Sequence, residues 1–203
     1  MRASNWSGLS KLNLWKMTVT LLALCGATAI SLPAQTLTTL HAFAGYPNDG
    51  SAPNAGLMQA TDGNFYGTTY AGGTSGNCQG GCGTVFRITP GGTLTTLHSF
   101  DFYDGASPSA ALVQGTDGNF YGTTYGGGAN SDGTVFKITP SGALTTLYTF
   151  AGSDGAYPCA GLVQGSDGNF YGTTYGGGAH DAGTVFRLGV VRPCATCRPV
   201  SWR

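Results

Sequence analysis

The sequence predicts an all-β fold, a β-propeller-like array of three four-stranded antiparallel blades. Two observations carry this. DGNFYGTTY occurs at 62–70, 117–125 and 167–175, GTVF begins at 83, 133 and 183, and LTTL begins at 37, 94 and 144. Within each copy, short runs rich in aromatic and β-branched residues are separated by turn residues, without any helical periodicity.

The second copy shows the elements in order. Ala110–Gln114 is a short apolar run, and Thr116-Asp117-Gly118 turns it into Asn119–Tyr125. A Gly-rich loop over 126–133 leads into Thr134–Thr139, and Pro140-Ser141-Gly142 turns into Leu144–Phe150. Four such strands in sequence make a meander, and a repeat of about 50 residues matches a propeller blade. Phe120, Tyr121, Tyr125, Val135, Phe136, Ile138, Leu147 and Phe150 fall on both sides of their strands, as in a sheet covered on both faces. The repeats span about 36–93, 94–143 and 144–188, the first being longer in its Cys78/Cys82 loop and in 44–53. The array opens on an outermost-type strand, Leu37–Phe43, and ends on Gly183–Leu188, so the first strand is placed to complete the last blade. Propellers typically have four to eight blades. Three therefore imply an incomplete ring or half of a six-bladed homodimer.

Residues 1–16 are polar and cationic, Met17–Leu24 is apolar, and Ala27-Thr28-Ala29 offers a cleavage site, with Ala34 as the later choice. This predicts a signal peptide over 1–29 and a secreted or cell-surface protein, with no membrane span in the mature chain. Leu22-Ala23-Leu24-Cys25 resembles a lipoprotein box, except that Leu24 stands where a small residue belongs. The tail 189–203 abandons the repeat's composition and reads as a linker or an out-of-frame ending. Of the cysteines past the leader, Cys78 and Cys82 are a disulfide candidate, and Cys194-x-x-Cys197 a pair or a zinc half-site.

All nine acidic residues are Asp, and all lie between Asp49 and Asp181, where Arg87, Lys137 and Arg187 are the bases nearby. A surplus of acid without a basic patch excludes a nucleic-acid partner. The residues with chemical potential recur with the repeat. Asp62, Asp117 and Asp167 are calcium candidates, although Asp-Gly is also the preferred pair for a tight turn. No cofactor beyond such a calcium ion is expected. Asp49, Asp104 and Asp154 form a second series between blades. Tyr70, Tyr125 and Tyr175, beside the Phe65/Tyr66, Phe120/Tyr121 and Phe170/Tyr171 pairs, are candidates to stack on a ligand, with core packing as the alternative. His41 and His98 align with Tyr148, so the repeat requires no imidazole there, and His180-Asp181 aligns with Asn130-Ser131. No nucleophile-base-acid set recurs, so an enzyme is not expected. The Gly-rich loops lack the Lys-Ser/Thr of a phosphate loop.

The string GTDGNFYGTTYGGGANSDGTVFKITPSGALTTLYTF, 115–150, closely resembles the Gloeo/Verruco (GloVer) repeat found in choice-of-anchor tandem repeat GloVer-containing proteins, and the resemblance extends over about 36–188. It implies an exported bacterial repeat protein of the cell surface or exterior, and no established enzymatic activity. Together with the residues, it leads to an extracellular binding or scaffold module with a glycan or surface protein as partner. A looser resemblance to six-bladed lactonases and streptogramin lyases keeps a propeller enzyme as the alternative, although such sites use Glu, His or Asn and this chain has no Glu. A truncated, non-functional fragment of a longer repeat protein is the third reading.

Overall fold

The computed structural model describes residues 35–189, so the leader, Cys25, Cys194, Cys197 and the tail lie outside the described residues. Residues 35–38 carry no regular structure, and every element lies in 39–189. These are β1 (Gly50–Ser51), β2 (Met58–Gln59), β3 (Phe65–Thr69), β4 (Ala71–Gly72), β5 (Thr84–Ile88), β6 (Leu94–Ser99), β7 (Val113–Gln114), β8 (Phe120–Thr124), β9 (Thr134–Ile138), β10 (Leu144–Thr149), β11 (Val163–Gln164), β12 (Phe170–Thr173) and β13 (Val185–Leu188). Among the described residues there is no helix.

Three meanders result, ordered β2-β3-β5-β6, β7-β8-β9-β10 and β11-β12-β13, with every pair antiparallel. The register repeats between blades. Gly67 faces Phe86, Gly122 faces Phe136 and Gly172 faces Phe186. Both four-stranded sheets carry a bulge in the outermost strand, where Leu97 on β6 and Leu147 on β10 are the unpaired extra residues.

The core lies between the blades. One apolar cluster joins Tyr66 and Val85 of the first blade to Leu112, Phe120, Phe136 and Ile138 of the second. The other joins Tyr121 and Val135 of the second to Leu162 and Phe170 of the third. A thin sheet with aromatic residues on both faces has no interior of its own, so each blade becomes buried only against its neighbours. Polar clamps fix the spacing. Gln114 Oε1 accepts from the Thr61 amide and Gln164 Oε1 from the Thr116 amide, both at 3.0 Å. In the first two blades a buried Thr pair ties the second strand to the third, with Oγ1 atoms 2.8 Å apart for Thr69/Thr84 and Thr124/Thr134.

One expectation is corrected. Residues 39–43 form no strand and do not complete the last sheet of their own chain, which ends on β13. They lie instead on the first blade, where Phe43 meets Phe86 edge-on at 5.3 Å. The segment repeats the string that forms β6, but a strand needs a free edge beside it, and β13 stands two blades away.

Candidate functional site

Successive strands of a meander alternate in direction. The DGN and Pro-Gly turns therefore gather at one end of each blade, and the Gly-rich loops and blade-to-blade crossings at the other.

At the turn end, the first Asp series is committed to the backbone. Asp117 Oδ1 accepts from the Asn119 amide at 3.1 Å, while Oδ2 accepts from Asn119 Nδ2 at 2.7 Å and from the Tyr121 hydroxyl at 2.8 Å. Asp62 and Asp167 repeat the arrangement with Asn64/Tyr66 and Asn169/Tyr171. No group of three or more His, Cys, Asp or Glu side chains able to hold a metal occurs among the described residues. The three carboxylates sit in three separate turns, each pinning a Tyr of the second strand.

At the loop end the second Asp series braces β6, β10 and the unpaired 39–43 segment, each to the crossing that follows it. Asp49 Oδ2 contacts His41 Nε2 at 2.9 Å and Asp104 Oδ2 contacts His98 Nε2 at 2.7 Å, while Asp154 Oδ2 accepts from the Tyr148 hydroxyl. The free oxygen of each takes a backbone amide: Gly50 at 2.7 Å, Asp101 at 2.9 Å and Ala151 at 2.9 Å. His and Tyr interchange at this position because both hydrogen-bond a carboxylate. His180 is exposed, and Asp181 accepts from the Gly177 amide at 2.9 Å.

All six carboxyls are held below the usual carboxylate range. In Asp49, Asp104 and Asp117 burial pushes upward, but the hydrogen-bond donors outweigh it. In Asp62, Asp154 and Asp167 the leading cause is a donor side chain, Asn64, Tyr148 and Tyr171 respectively. Burial, then the Asp117 carboxylate, pushes Tyr121 up to about 12. The signs set two windows of lost stability. Depressed carboxyls stabilise the fold above about pH 4, and that contribution fades as pH falls through their lowered values. A raised Tyr stabilises it below about pH 10 and loses that by about pH 12. Thermal melts across pH should show a plateau between these windows, and Asp104→Asn should flatten the acid limb.

The crossing and the Gly-rich loop of each blade are tied together by the β1/β4 pairing in the first blade and by the Ala106/Gly126 and Ala156/Gly176 bridges in the others. Cys78 and Cys82 form a disulfide within the long first loop, and exposed Cys159 has no disulfide partner among the described residues. Of the stacking candidates, Tyr70 and Tyr175 are exposed, while Tyr125 stacks on Tyr157 at 5.1 Å. Tyr46, Tyr103 and Tyr157 are also exposed at this end. Reading the repeat missed these three because they lie outside the repeated strings; their signal was an aromatic residue where the other copies vary. Backbone strain collects here too. Among the described residues six non-Gly residues have positive φ, Ala52, Phe102, Ser107, Ser131, Tyr157 and Asp181, and all lie in these loops. At Ala52, Ser107 and Tyr157 the carbonyl so presented accepts from the amide of Tyr70, Tyr125 and Tyr175, at 3.0, 3.2 and 3.1 Å.

The loop end is therefore cross-linked by backbone hydrogen bonds, aromatic and acidic. It gathers five exposed tyrosines and six Asp, with no Lys or Arg in its loops.

A family model described as the Gloeobacter/Verrucomicrobia repeat matches residues 26–192. No curated protein matches the chain. Among solved structures, a streptogramin B lyase is similar at 17% identity and a TM-score of 0.42, over 68% of this chain and 41% of its own. The virginiamycin B lyase of Staphylococcus aureus gives the same values. A Bacteroides uniformis protein provisionally assigned as a 6-phosphogluconolactonase is similar at 19% identity and a TM-score of 0.45, over 73% of this chain and 42% of its own. The chain thus spans about two fifths of the length of these structures.

Proposed function

We propose, for a chain that belongs to the Gloeobacter/Verrucomicrobia repeat family, an extracytoplasmic, non-catalytic module that binds a neutral glycan at its loop end. The observation that carries this reading is the coincidence there of exposed Tyr46, Tyr70, Tyr103, Tyr157 and Tyr175 with every described non-Gly residue of positive φ. Such backbone conformations each cost about 1–3 kcal/mol and persist where the surroundings impose them, which is common at ligand sites. Tyr rings offer flat apolar faces with a polar edge, suited to sugar rings and their hydroxyls. The Asp residues of the same loops repel anionic polymers, which favours an uncharged glycan. Export is supported by the charged-then-apolar run of residues 1–24.

Calorimetric titration of the full chain with neutral hexasaccharides of glucose, xylose and N-acetylglucosamine tests the reading. One of them should bind, and Tyr157→Ala or Tyr175→Ala should weaken it about 3- to 10-fold, the scale of one stacking contact. No binding by any of the three, binding indifferent to both substitutions, or turnover of a lactone substrate would discard the proposal.

A further inference from the structure

The two internal junctions are copies of each other. At the first, Tyr66 lies over Phe120 at 4.0 Å and Phe100 meets Phe136 edge-on at 5.2 Å. At the second, Tyr121 lies over Phe170 at 4.0 Å and Phe150 meets Phe186 at 5.2 Å. Every blade therefore has a Tyr/Val face turned to the next blade and a Phe/Leu/Gln face turned to the one before.

Among the described residues, the end blades leave one face of each kind uncovered. Val85 and Val135 are 0% and 1% exposed, whereas Val185 is 82% exposed, and Tyr171 is exposed where Tyr66 and Tyr121 are buried. On the first blade Leu57 is 54% exposed, whereas Leu112 and Leu162 are buried, and Gln59 is exposed at the position of the clamping Gln114 and Gln164. An apolar cleft lined by Leu40, Phe43, Leu57, Phe86 and Ile88 opens on this face.

The sheets show the same vacancy. Among the described residues, β13 is an edge without the outer strand that β6 and β10 supply to their blades. Residues 39–43 carry the outer-strand sequence without a sheet, yet already sit as such a strand sits on the blade that follows it. The ring planes of Phe43 and Phe86 cross at 66°, those of Phe100 and Phe136 at 68°, and those of Phe150 and Phe186 at 67°. His41 reaches Asp49 as His98 reaches Asp104.

We propose that a second copy of the chain covers both faces, head to tail, with residues 39–43 of each copy pairing as the fourth strand on β13 of the other. By the register of Val85 with His98 and of Val135 with Tyr148, Val185 would face His41 of the second copy. Tyr171 would stack on Phe65 and Gln59 would clamp the turn at Ser166, repeating the internal junctions. Three blades from each copy make six, within the range at which propellers close, and a two-fold axis makes the two seams identical. The proposal uses the blade faces and is independent of any ligand at the loop end.

Sedimentation equilibrium of the full chain tests it. The expected species has twice the 20.7 kDa chain mass. Val185→Asp and Leu57→Asp each place a carboxylate in one half of the seam and should weaken the dimer about 100-fold or more. Both side chains are exposed within a single copy, so circular dichroism of each variant should match the parent. Tyr171→Ala, which adds no charge, should weaken the dimer about 10-fold. An equimolar mixture of the two Asp variants should regain a complex of twice the chain mass, because one of its two seams carries neither substitution. A parent chain that is monomeric at every concentration, a dimer indifferent to Leu57→Asp, or a mixture that stays monomeric would overturn the proposal.

Discussion

Phe120→Ala is expected to cost about 3–5 kcal/mol, the range for emptying a well-packed aromatic site. Phe120 is fully buried between the first two blades, lies against Tyr66 at 4.0 Å and faces Ile138 across the strand pair. Its removal deprives Tyr66 of its stacking partner, and the cavity has little means of collapse because the Gln114 clamp and the strand ladders hold the blades apart. For a domain of this size the melting temperature should fall by roughly 6–20 °C. Phe65→Ala is the internal comparison: the same residue in the same strand, facing outward from the first blade and only partly buried. In dilute solution, where the chain is single, it should cost roughly half as much or less, in proportion to the area it buries. Urea midpoints of the two variants check the difference; equal losses would show that the junction is not the seat of the stability.

Gly127→Ala should be nearly as damaging, for another reason. Gly127 has φ 74°, and a Cβ there would lie 2.5 Å from the Phe102 carbonyl oxygen and 2.6 Å from the Gly105 carbonyl carbon. Backbone cannot swing aside as a side chain can. The left-handed conformation costs an L residue about 1–2 kcal/mol and forced overpacking about 1–3 kcal/mol, so a loss of about 2–5 kcal/mol is expected. The Gly128 amide donates to the Phe102 carbonyl and the Gly133 amide to that of Gly127, at 2.7 and 3.1 Å. Displacement of this strand of backbone would thus reach both loops of the second blade. Far-ultraviolet circular dichroism melts should show the loss, and ligand titration should show the loop end failing with it.

Much of this architecture is legible in the residues because the repeat states it three times. Asp117-Gly118 followed by Asn119 announces a tight turn, and the observed turn uses the Asp as turn chemistry requires. Runs of aromatic and β-branched residues in FYGTT and TVFKI place β8 and β9. What stays hidden depends on distant partners. Gln114 reads as an ordinary strand residue, and its bond to Thr61 spans 53 residues. His41, His98 and Tyr148 look like a position under no constraint, because shared ability to hydrogen-bond Asp is not shared appearance. Tyr157 gives no local hint of positive φ; its conformation comes from its links to Asp132 and Tyr175. Residues 39–43 read as a strand and are not one, because strand formation depends on an available edge, which a sequence pattern does not report.

With the apolar clusters seated at the junctions, order in this molecule is a property of pairs. A lone unit cut from the array would have nothing to fold around; in a single, unpaired copy the two flanking units would lose structure first, and melting would travel inward from the rims to the middle one, which is gripped from both sides.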